Sequence, residues 1–229
     1  MTRFPLRLAS LAPVLAMPAG AIAQPVVVEL FESQGCSSCP PANANLASVA
    51  GRPDVIALNF AVTYWDGPGW MDTFGSRRFT ERQWDYAHAF RRAQVFTPQV
   101  VVNGRRDGVG IDPKNFARLV GHGSAAPPSP SLSLQRERLS IGAGPKPAQA
   151  ADVWLARYDP RTVQVAIRGG ENGGKTLAHR NVVRELVRLG AWGGAAETLR
   201  LPPARERGLI NAVLVQLPKG GPILAATRG

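Results

Sequence analysis

Hydrophobic and polar positions divide this chain into two textures. In the first, short apolar runs alternate with helix-like stretches. "VVVELF" (26–31) is apolar and β-branched at nearly every position, the pattern of a buried strand. Pro40-Pro41 suit a first helical turn, "ANANLASVA" continues the helix, and Gly51 ends it. "DVIALNFAV" (54–62) is a second continuous apolar run, as expected of a strand covered on both faces. After a Gly/Pro/Trp loop (64–75), residues 76–93 predict a helix. Thr80 and Gln83 there have capping-box spacing, and Phe79, Tyr86, Ala87 and Phe90 form one apolar side. The strand "QVVV" then meets Asn103-Gly104, a strong tight-turn signal. A return strand leads to a helix over 112–120, with Asp112 as N-cap and Pro113 in the first turn. The order β-α-β-α-β-β-α predicts a mixed sheet with helices on both faces.

"GHGSAAPPSPS" has linker composition, and residues 122–131 are expected to separate two domains, 24–121 and 132–229. Beyond the linker, "SLSLQRERLSI", "ADVWLARYD", "TVQVAIRG" and "NAVLVQL" alternate or run apolar at strand length. Residues 179–192 are ambiguous, helical by propensity and strand-like by their valine pairs. The expectation is a small β-rich, sandwich-like domain.

The amino terminus changes the compartment. Arg3 and Arg7 precede the apolar "LASLAPVLAM", and Ala21-Ile22-Ala23 fits the small-x-small cleavage rule. Residues 1–23 are therefore read as a signal peptide cleaved near Ala23-Gln24, giving a periplasmic or secreted protein with no stable membrane insertion. The charge balance is basic, 27 Lys+Arg against 16 Asp+Glu, but the charges are scattered and only four are Lys. No basic stripe with interleaved aromatics points to nucleic acid.

In such a compartment disulfides form and persist. Both cysteines lie in "GCSSCPP", Cys36 just before the first helix and Cys39 three residues later. A bridge closing so short a ring constrains the unfolded chain little, which favours a labile redox pair over a staple. A metal would need His88, His122 or His179 as well, and there is no second CxxC, so no metal or other cofactor is expected. Thr97-Pro98 stands directly before "QVVVNG". In thioredoxin-like folds a cis proline at this point packs beside the disulfide and frees the preceding backbone to pair with a substrate chain. An ordinary trans proline at a strand start is the alternative.

"VVVELFESQGCSSCPPANANLA", "YWDGPGWMDTFGSRRFTERQWDYA" and "VFTPQVVVNGR" resemble the DUF1223 family of secreted thioredoxin-like proteins, as do the later "GENGGKTLAHRNVVRELVRLGAW" and "GPILAA". The resemblance implies a thioredoxin-like fold, with Cys36 and Cys39 as the family's CxxC and Pro98 as its proline before the strand. The chain departs where the family usually reads His-Val-Asp-Tyr-Trp and this one has Ala61-Val62-Thr63-Tyr64-Trp65. The expected function is thiol-disulfide exchange on thiols or disulfides of protein substrates. Cys36 is expected to be the more exposed, attacking thiol and Cys39 the buried, resolving one. Thr97, Pro98, Tyr64 and Trp65 are candidate substrate-binding residues, and Glu29 is a candidate acid–base group for Cys39. The alternative is a non-catalytic binding module with a structural disulfide.

Overall fold

The structure, a computed structural model, describes residues 24–67, 69–122 and 130–229. The expected signal peptide and most of the expected linker lie outside these residues. The first half follows the predicted order: β1 (Val26–Glu32), α1 (Cys39–Val49), β2 (Val55–Ala61), α2 (Arg77–Ala89), β3 (Gln99–Val102), β4 (Arg106–Gly108) and α3 (Pro113–Gly121). β1 and β2 are buried at every position, which explains their unbroken apolar runs. The tight turn forms with positive φ at Asn103 and Gly104, and the Asp112 side chain accepts the Asn115 amide as the N-cap.

Among the described residues of the second half the regular elements are strands and a 3-10 turn at Gly170–Asn172: β5 (Leu132–Gln135), β6 (Arg138–Ile141), β7 (Ala151–Ala166), β8 (Thr176–Trp192), β9 (Glu197–Arg200), β10 (Ile210–Gln216) and β11 (Ile223–Arg228). The ambiguous 179–192 belongs to β8, because its long antiparallel pairing with β7 overrides local propensity. "SLSLQRERLSI" is a hairpin rather than one strand, turning at Arg136 with positive φ.

A single eight-stranded mixed sheet, ordered β11-β10-β7-β8-β2-β1-β3-β4, crosses the expected boundary between the halves. The junction is the parallel Asn59–Val182 pairing, reinforced where Asn181 Nδ2 donates to Ala57 O. The core also crosses it: Phe31, Phe60 and Tyr86 pack with Tyr158, Leu186, Ala212 and Leu214 under α2. On the other face, Val28 and Leu30 pack with Ala42 and Leu46 of α1 and Phe116 of α3. Alternate residues of β10, Val213 and Val215, face away from α2 and pack with Leu139 and Ile141 of the small β5-β6-β9 sheet. The C-terminal half is thus two-layered, but its larger layer continues the sheet that carries the cysteines.

Candidate active site

β1 ends at Glu32, and a tight loop then delivers the chain into α1. Ser33 shapes it twice: its hydroxyl accepts the Gly35 amide and its carbonyl accepts the Cys36 amide. Cys36 and Cys39 are joined by a disulfide with Cα atoms 5.4 Å apart. The Cys36 sulfur lies 3.4 Å from the Ser38 hydroxyl. Pro40 and Pro41 stand at the first positions of α1 and bring no N–H groups to the helix terminus.

Cys36 is not the exposed partner expected from the sequence. Cys36 is 0% and Cys39 1% accessible, while Ser37 and Ser38 between them are exposed. The distant turn between β7 and β8 lies against this loop. Asn172 is itself fully buried and donates from Nδ2 to Gln34 O and to Cys36 O, 2.9 Å each. Glu171 accepts the Ser37 amide at 3.1 Å, and the Ser37 hydroxyl, then this amide, hold its carboxyl below the ordinary range. Trp65 closes another side: a Cβ on Gly35 would lie 3.3 Å from Trp65 Cβ.

Trp65 Nε1 donates to Thr97 Oγ1 at 2.7 Å, linking the CxxC loop to the Thr97–Pro98 peptide, which is cis. Tyr64, Trp65 and Met71 are exposed and give this edge an apolar rim. The sequence-predicted Tyr64, Trp65, Thr97 and Pro98 thus fall on two segments joined by the Trp65–Thr97 bond, with Trp65 against Gly35.

Glu29 does not fit the role given it. Strand alternation places it on the α2 face with Val27 and Phe31, away from α1. Its Oε1 accepts Arg82 Nε at 2.6 Å and its Oε2 accepts the Tyr86 hydroxyl, so both oxygens are engaged. Thr80 and Gln83 do not form the expected capping box either. Thr80 Oγ1 accepts the Thr63 amide, and Gln83 donates to Phe96 O and Gln99 Oε1.

The ionisable groups behind the CxxC loop are Glu32, Asp72 and His179. Glu32 and His179 are buried and meet at 3.1 Å through Oε1 and Nδ1. Glu32 Oε2 and His179 Nε2 have no other partner. Asp72 accepts the Gln34 amide at 2.7 Å and the Phe74 amide at 2.9 Å, fixing the residue two before Cys36. Burial, and then the nearby Glu32, push the Asp72 carboxyl up to about 6. Burial opposes charge on His179, but Glu32 and Asp72 outweigh it and raise its pKa. Among the described residues, no group of three or more His, Cys, Asp or Glu side chains is arranged to hold a metal ion. Among the same residues, no helix is long and apolar enough to cross a membrane.

The family model described as "Protein of unknown function (DUF1223)" matches residues 27–216, from the first strand to the end of β10. The chain belongs to the DUF1223 family. Its fold is similar to the crystal structure of protein AGR_C_4864 from Agrobacterium tumefaciens, with a TM-score of 0.75, 32% identity, and coverage of 91% of this chain and 95% of that one. HBP35 of Porphyromonas gingivalis is similar with a TM-score of 0.58 over 92% of this chain and 76% of that one. At 15% identity, that second likeness is one of fold alone. No curated protein matches the chain. In this DUF1223 chain Ala61 pairs with Glu32 in the β1–β2 register. Thr63, at the second departing position, is hydrogen-bonded to Thr80.

The sequence did not single out Asn172, Glu171, Glu32 or Asp72, and it offered His179 only as a metal ligand. All five lie in the stretches that resemble the family, which mark the segments but not their contact with the cysteines.

Proposed function

We propose that this DUF1223 protein is an exported, thioredoxin-like thiol–disulfide exchange protein acting on polypeptide substrates. The observation that carries this reading is the closed Cys36–Cys39 pair at the entrance to α1, joined through Gly35, Trp65 and Thr97 to the cis Thr97–Pro98 peptide. In the oxidising direction a substrate thiolate attacks Cys36 Sγ, the Cys36–Cys39 bond breaks, and Cys39 leaves as a thiolate. The Glu32–His179 pair, replacing Glu29 in this role, supplies the proton that neutralises Cys39. A second substrate thiolate then attacks the substrate sulfur of the mixed disulfide and releases Cys36. Two electrons pass from a substrate dithiol to the protein, and the reverse steps reduce a substrate disulfide. The Ser38 hydroxyl, 3.4 Å from Cys36 Sγ, is a donor for the Cys36 thiolate. Tyr64, Trp65 and Met71 offer an apolar rim to a polypeptide.

The test has two arms. Equilibration in glutathione buffers should give a potential within the exchange-catalyst span of about −120 to −270 mV. A Cys39→Ala chain, which leaves Cys36 free, should hold substrate proteins as mixed disulfides. The burial of both sulfurs favours a second reading, a binding module with a structural bridge. A potential below roughly −300 mV together with an empty trap would establish that reading instead.

A further inference from the structure

The two cysteines come from the first half of the chain, and the turn that lies against their loop comes from the second. Beyond the register irregularity at Asp159/Thr162 and the positive φ at Asn181, the β7–β8 hairpin carries its tip onto the CxxC loop. What the tip holds there is backbone: Asn172 takes the Gln34 and Cys36 carbonyls, and Glu171 takes the Ser37 amide. The tip thereby engages the backbone on both sides of Cys36. The tip also carries glycine hinge points. Gly169, Gly170, Gly173 and Gly174 surround the two contact residues, and Gly170 and Gly174 have positive φ. Glu171 is exposed, so its bond is accessible to water and salt.

We infer that the 169–174 tip is a displaceable latch on the CxxC loop, so that exchange at Cys36–Cys39 begins with its release. This rests on the exchange reading above and names how that site is regulated. A disulfide whose residues are 0% and 1% accessible offers no line of attack to an incoming thiolate until something moves. Asn172 holds the Cys36 carbonyl, so lifting the tip frees the cysteine that the first attack requires.

Two variants of the full chain loosen the latch by different means. Asn172→Ala removes the buried clasp. Gly169→Ala adds a Cβ that would sit 2.0 Å from Gly69 O and forces the tip outward, at a φ of −159° that alanine accepts. Reduction by a water-soluble phosphine, followed by alkylation and mass measurement, should be about tenfold faster or more in each variant, the effect of about 1.4 kcal/mol of lost closure. Reoxidation should accelerate with it, since a gate acts on both directions. Unchanged rates in variants that still unfold cooperatively overturn the latch. A measurement on the unaltered chain stands beside these in case a variant does not fold. A local opening exposes little surface, so its reduction rate should barely respond to low urea. A rate that rises with the steep urea dependence of global unfolding overturns the proposal. The phosphine needs no biological partner, so a gated disulfide with a potential below roughly −300 mV and an empty Cys39→Ala trap would sink the exchange reading and leave the latch standing.

Discussion

Replacing Arg82 tests how the two halves are held together and what Glu29 is for. Arg82 is 6% and Glu29 0% accessible, and their 2.6 Å contact lies under the α2 face of the sheet. Arg82 Nη2 also donates to Tyr86 Oη at 3.1 Å and to Gln216 Oε1 at 2.9 Å, which ties α2 to β10 of the second half. Its guanidinium lies 5.2 Å from the Tyr86 ring centroid and 5.8 Å from that of Trp154. Arg82→Ala leaves the Glu29 carboxylate buried with only the Tyr86 hydroxyl, and it orphans an oxygen of Gln216. Breaking a buried pair from one side costs about 3–5 kcal/mol. Against a total stability of about 5–15 kcal/mol that is a large fraction, and in a chain of this size it lowers Tm by about 10 °C. The double variant Arg82→Met, Glu29→Gln removes both charges while keeping side-chain volume, and should recover more than half of the loss. Urea unfolding of the oxidised chain, followed by circular dichroism, measures both. The potential of Cys36–Cys39 should stay the same in the double variant, because Glu29 faces away from α1. A loss below about 1 kcal/mol in Arg82→Ala would show that the charge is reached by water. A potential that moves with Glu29→Gln would return Glu29 to the acid–base role.

Stability should fall as pH rises through the weakly acidic range. Between about pH 4 and 6 the folded chain keeps a proton on Asp72 that the unfolded chain has lost, worth about 3 kcal/mol at 1.36 kcal/mol per pH unit. The charged His179–Glu32 pair acts in the same direction: its contribution is complete below about pH 6.5 and is lost as pH passes the raised value of His179. Asp72→Asn should flatten the slope of the urea midpoint between pH 4 and 6; an unchanged slope would refute the assignment. Ser38→Ala should raise the pKa of the reduced Cys36 thiol by about one unit, read from the pH dependence of alkylation, since a hydrogen bond to a charged group is worth about 1.5–3 kcal/mol. An unmoved profile would show that the hydroxyl donates elsewhere. Trp65→Ala should reduce the yield of mixed disulfides trapped by Cys39→Ala while leaving the potential in place, and equal yields would remove Trp65 from the substrate rim.

Features that depend on neighbours along the chain were legible in the residues. The apolar runs of β1 and β2, the Asn103-Gly104 turn, the Asp112 cap and the CxxC at the start of α1 each carry a short-range physical signal. Residues 179–192 lacked such a signal, and only the partner strand β7 made them a strand. Thr80 and Gln83 had the spacing of a cap, but hydrogen bonds to Thr63, Phe96 and Gln99 engaged them instead. Which glutamate of β1 meets His179 followed from tertiary packing. Glu29 and Glu32 are both glutamates of one apolar strand, and what separates them is the face each takes and the partner found there, Arg82 for one and His179 for the other. Tertiary packing also brought Asn172 to the Cys36 carbonyl, 136 residues away along the chain. Periodicity reports the neighbours within a turn or a strand, and a contact across such a distance leaves no periodic mark in either segment.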